Sequence, residues 1–222
     1  MSKNQLLFEK FLPVLIFFLV SFVCIMAGWR IGTGVRWVSY NAVIRGVLLG
    51  LMLGSFLSFG SFGIATGWIW RKRYPNLRFK HFLLLTLGWM VIPSMLMVWF
   101  YHFAFSDFSD VFIYLLCFTL LALILVGAAG GFVGGKISSR VLKELDSEIS
   151  RETHAKIVEQ STLGFSRGFI LGGFLMGIGL VGLADFPHES SSYQWALFVA
   201  VGFALMGSIG TTSAGSALFG KE

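Results

Sequence analysis

Residues 11–26 read FLPVLIFFLVSFVCIM, an unbroken apolar run without a single charge. At about 1.5 Å of rise per residue, a helix running from here to Trp29 approaches the roughly 30 Å hydrocarbon core of a bilayer. The polar start MSKNQLLFEK resembles the n-region of a leader, but the run exceeds a leader's usual apolar core of about 7–15 residues. IMAGWR (25–30) is also a poor small-x-small cleavage site, so the segment is expected to remain as an anchor.

Five further apolar stretches follow, giving expected spans at 11–29, 42–70, 82–101, 111–135, 163–184 and 193–219. The chain is 56% hydrophobic and only 13% charged, with 24 phenylalanines in 222 residues. A water-soluble domain would carry roughly a quarter of its residues as charges. The expected fold class is therefore all-α: a polytopic transmembrane bundle forming one membrane domain over 1–222. Cys24 and Cys117 both fall inside spans, where they act as small apolar residues rather than a disulfide framework.

Charge fixes an orientation. With six spans, the N-terminus, the loop RKRYPNLRFK (71–80), the stretch 136–167 and the C-terminus share one side. That side holds fourteen of the seventeen Lys and Arg residues. Basic residues beside spans mark the cytoplasmic face, so both termini are expected there, in a bacterial inner membrane. Arg30, Arg36 and Arg45 lie opposite. The net charge of +6 then meets anionic lipid headgroups. Without aromatic stacking platforms beside the charge, it does not indicate nucleic acid. Trp29, Trp37, Trp99, Tyr101 and Trp195 are expected at the outer interface, with Trp68, Trp70 and Tyr74 at the inner one.

One phrase recurs. RGVLLGLMLG (45–54) is echoed by RGFILGGFLMG (167–177), pairing Arg45 with Arg167, Gly46 with Gly168 and Gly50 with Gly172. AGWRIG (27–32) likewise echoes AGGFVG (129–134). This suggests an inverted 3+3 repeat with halves 1–110 and 111–222, an arrangement common in secondary transporters. Shared Gly and Leu composition is the alternative. Small residues also let helices approach closely in lipid. Candidate packing or pathway strips are Gly46, Gly50, Gly54 and Ser58 in span two, and Gly127, Gly131 and Gly135 in span four. Ala196, Ala200, Ala204, Ser208, Thr212 and Ser216 form another in span six. Helix breaks are expected near 60–63 and 127–135, because glycine weakens helices.

Two motifs look chemical and are not. GIGLVG (177–182) matches G-x-G-x-x-G but lies inside a span, with no preceding strand. GGFVGGKIS (130–138) has Ile137 where a phosphate loop needs Ser or Thr. No Asp, Glu or His stands in the middle of an expected span, which disfavours intramembrane catalysis and proton relays. The serines of span two are expected to bond their own helix. His102, Asp107, Asp110, Asp185, His188 and Glu189 fall in outer loops and could ligate zinc or manganese, although ordinary solvated loops with aromatic anchors are the simpler explanation. No cofactor is implied.

Finally, 136–161 shows apolar residues at helical spacing (Ile137, Val141, Leu145, Ile149, Ile157) and favourable pairs such as Arg140–Glu144. This predicts an amphipathic cytoplasmic helix between spans four and five, continuing span four or lying along the headgroups and available to a cytoplasmic partner, with His154 solvated on it. Functionally, the chain reads as a small permease or channel-type subunit for a neutral or lipid-like solute, working with partner proteins. The alternative is a non-catalytic scaffold subunit of a membrane complex. Partners would be the bilayer and either further copies or other membrane subunits.

Overall fold

The computed structural model describes residues 3–34, 40–105, 112–146, 150–185 and 189–219. These residues form six helices: α1 (Lys3–Gly34), α2 (Tyr40–Arg73), α3 (Phe79–Phe105), α4 (Phe112–Leu145), α5 (Arg151–Asp185) and α6 (Glu189–Phe219). Four of them are long and apolar enough to cross a membrane, over Phe11–Gly34, Ala42–Arg73, Arg151–Leu183 and Ser192–Phe219, while α3 carries a shorter apolar stretch, Phe79–Met95.

Helix ends follow local chemistry. A turn at Pro75–Asn76 closes with the Leu77 amide donating to the Tyr74 carbonyl at 3.1 Å, as proline's fixed φ favours. α3 then starts with the Arg78 amide donating to His81 Nδ1 at 3.0 Å. α5 starts at Ser150, whose hydroxyl accepts the Thr153 amide at 3.1 Å, an N-cap.

Each helix packs against its neighbours in the chain, and α1 packs against α6, so the six close into a ring. Exposed apolar side chains line the perimeter: Phe11, Leu15, Leu19 and Val23 on α1, and Leu171, Phe174 and Ile178 on α5. Glycine performs two separate jobs between helices. At Gly28, Gly46 and Gly50 it lets the α1 and α2 backbones touch; a methyl on Gly50 would sit 2.6 Å from the Cys24 carbonyl oxygen. Gly168, Gly172 and Gly202 do the same between α5 and α6. Elsewhere the missing side chain makes room for a ring: Gly134 for Trp89, Gly207 for Phe17, Gly210 for Phe165.

Several expectations are corrected. The stretch 136–161 is not one amphipathic helix: residues through Leu145 continue α4, and those from Arg151 begin α5. Asp146 and Ser150 stand outside helix, and the Ser150 cap starts a new one. Ile149 and Glu148 lie outside the described residues. The helices also run unbroken through 60–63 and 127–135. Neighbouring helices press on those glycines and hold their backbone helical: Gly63 lies against Thr86, and Gly131 against Ser161.

The repeated phrases do not perform equivalent jobs. Exchanging halves would carry α1 to α4 and α2 to α5. Yet Gly46 and Gly50 face α1, whereas Gly168 and Gly172 face α6 rather than α4. Gly28 and Gly32 face α2, whereas Gly130 and Gly134 face Pro93 and Trp89 of α3. The aligned glycines therefore meet non-equivalent neighbours. The α6 ladder fails for a geometric reason: every fourth residue drifts about 40° around a helix. Ala196, Ala200 and Ala204 are fully buried, but Thr212 and Ser216 have rotated to the exposed side.

Candidate functional site

The ring has a filled centre. Phe17 (α1) meets Phe59 (α2) edge-on at 4.9 Å and stacks near Phe203 (α6) at 6.2 Å. Phe59 reaches Phe165 (α5) at 5.8 Å, which lies 5.4 Å from Trp89 (α3). Phe62 of α2 closes on Trp89 edge-on at 5.0 Å. α4 joins through Ser138, whose hydroxyl accepts the Trp89 indole N–H at 3.1 Å, and through Gly134 beneath the same ring. All six helices thus converge on one aromatic plug. Offset and edge-on rings attract through their quadrupoles, by about 0.5–1.5 kcal/mol per pair beyond simple burial.

Beside the plug, Ser21 donates to its own Phe17 carbonyl at 2.7 Å and lies 2.8 Å from Ser58. Since the Ser21 proton is already used, Ser58 is the donor across the α1–α2 contact. Most other hydroxyls serve their own helices, as expected for Ser55 and Ser61. Thr211, Thr212 and Ser216 do likewise in α6. The Ser208 hydroxyl is buried without a partner among the described residues.

A second cluster ties α3 to α4 at the basic end. Lys80 pairs with Glu144 at 3.0 Å, His81 Nε2 lies 3.4 Å from the same carboxylate, and Arg140 reaches it at 3.9 Å. With Nδ1 of His81 accepting from Arg78, the ring hydrogen belongs on Nε2, facing Glu144. The Lys80 hydrogen bond and charge hold the Glu144 carboxyl below the usual glutamate range, with His81 adding to this. Nearby, burial pushes the Tyr74 phenol up; the Asp146 charge adds and Arg73 opposes. The groove here measures about 710 Å³ and is lined by Asn76, Arg78, Lys80, His81 and Glu144.

The predicted site residues separate. Gly46, Gly50, Gly168 and Gly172 are backbone contacts; Gly54 lies against Cys24; Gly127 makes room for Phe169; Gly131 and Gly135 meet Ser161. Ala204 is core. Arg45 and Arg167 are both exposed. Arg167 lies between Phe165, a plug residue, and Gly168, which touches Met206. It is about 24 Å along α5 from Arg151 and about 27 Å from Asp185, hence near the middle of the helix. The proposed metal ligands Asp107 and His188 lie outside the described residues, as do Asp110 and the side chains of His102, Asp185 and Glu189. Among the described residues no metal-holding cluster occurs.

Sequence reasoning missed His81, hidden in a run of basic residues, and Trp89, which reads as one more aromatic in a span. It also took His154 as solvated, whereas its Nε2 is buried. Of the tryptophans at this end of α2, Trp70 is fully buried and Trp68 is exposed, with the Lys72 ammonium 4.1 Å from its ring. Comparison with known proteins finds no matching family model, no matching curated protein and no matching solved structure.

Proposed function

We propose that all six helices cross the bilayer of a bacterial inner membrane, with both termini cytoplasmic. In this reading the chain is a non-catalytic scaffold subunit of a membrane complex. One observation carries it: the bundle axis is occupied by an aromatic plug that every helix touches. Such a centre favours rigidity. The paired ends of α4 and α5, with Lys136, Arg140, Lys143 and Lys156, offer the cytoplasmic docking surface. Purification in mild detergent tests this: stoichiometric unrelated membrane proteins should accompany the chain, and elution of the chain alone would sink the reading.

A permease or channel-type subunit is the second reading, favoured by the closure of α1 on α6 into a ring. The plug would then be its gate, and the solute neutral or lipid-like. The double substitution Phe59→Ala/Phe165→Ala separates the two. In a scaffold it lowers thermal stability and leaves reconstituted liposomes sealed; in a permease it makes them leak small neutral solutes.

A further inference from the structure

We propose that the groove between α5 and α6 holds a phospholipid headgroup, its phosphate on Arg167. This rests on reading α5 as a membrane-crossing helix. One face of α5, followed at helical spacing, runs Lys156, Gln160, Leu163, Arg167, Leu171, Phe174 and Ile178. Beyond Arg167 the face is exposed and apolar. From Arg167 toward Arg151 it turns polar and opens into a groove of about 700 Å³, walled on the far side by Thr212, Ser213 and Ser216. The polarity changes along the helix axis as it does along a lipid, with tails against Leu171 and Phe174 and a headgroup below.

The chemistry matches at both ends of a headgroup. The Arg167 guanidinium is exposed and makes no ion pair among the described residues. A cation placed that far along an apolar helix is costly unless it meets an anion or reaches the interface. Phosphate suits its fork of donors. Across the groove the Thr212 and Ser216 protons are donated within α6, at 2.7 and 2.9 Å. Their outward lone pairs, with the Glu159 carboxylate, therefore accept. They suit the donor end of a headgroup such as ethanolamine.

The test uses the full-length chain, delipidated in non-ionic detergent and observed by native mass spectrometry. Dioleoylphosphatidylethanolamine should bind one-to-one, and dioleoylglycerol, with the same tails and no phosphate, should not. Arg167→Gln should weaken the phospholipid adduct about ten-fold or more, as loss of a charge-assisted contact implies. Thr212→Leu, narrowing the groove from the other wall, should weaken it while keeping the charge. Equal binding of dioleoylglycerol, or full binding by both variants, overturns the proposal. So does a wild-type dimer that Arg167→Gln splits, since a second copy would then fill the groove. Alkaline carbonate extraction separates the two readings. Release of the wild-type chain refutes membrane crossing, whereas retention with unaltered lipid binding by the variants refutes the groove alone.

Discussion

A glycine in this chain is understood by what its missing side chain admits. Gly207 and Gly210 each lie under a plug ring, so an added methyl must displace Phe17 or Phe165. Overpacking of this kind costs about 1–3 kcal/mol. Gly207→Ala should therefore lower the thermal midpoint in detergent. Gly34→Ala, with nothing within 4 Å of the new methyl, should leave it unchanged or slightly raised, because alanine is the better helix former. An equal drop for both would remove the plug as the source of the difference. The sequence announced that glycines pack helices, and they do. It could not say which of them face backbone and which face rings. Gly131 meets Ser161 and neighbouring Gly130 meets Pro93, and that choice depends on the rotation of each helix, which spacing alone leaves open.

At the scale of elements, α3 and α4 are clasped by Glu144, with Lys80 and His81 on one helix and Arg140 on the other. The Glu144 carboxyl titrates below its ordinary range. The folded state thus favours the ionised form, and this contribution is complete above the usual glutamate pKa. It disappears as pH falls through the lowered value. Hydrogen exchange at residues 79–81 and 141–145 should accelerate over that acid window, and Glu144→Gln should be fast already at neutral pH. Acid-insensitive exchange in the wild type would count against the clasp. The helix-to-helix pairing was hidden in sequence because Lys80 and Glu144 are 64 positions apart; the Arg140–Glu144 pair, one helical turn apart, was legible. The boundary at 146–150 was missed because apolar spacing continues across it, and only the Ser150 cap interrupts it.

For the whole molecule, helix number and apolar character were plain from composition and run length. Ring closure and the plug were not, since they join residues as distant as Phe17 and Phe203. Truncating Phe59 to alanine should cost about 2–3 kcal/mol. That is less than the roughly 3–5 typical of water-soluble cores, because lipid rather than water is the competing surroundings. Chemical denaturation in micelles measures it. If all six helices cross, cysteines placed at Asn76 and Ser150 should react with an impermeant reagent from one side and a cysteine at Gly34 from the other. Labelling of Asn76 and Ser150 from opposite faces would break the six-span topology.

The seam between α1 and α6 sets a condition on biosynthesis. Trp29 donates to Ser192 at 3.2 Å, and Phe17 settles against Gly207, so α1 finishes its packing only once α6 has been made. Until then α1 waits with Phe17 uncovered on that flank. A ribosome halting before Gly207 would leave a nascent chain whose α1 never gains that neighbour, and membrane quality-control proteases would find it by that uncovered flank.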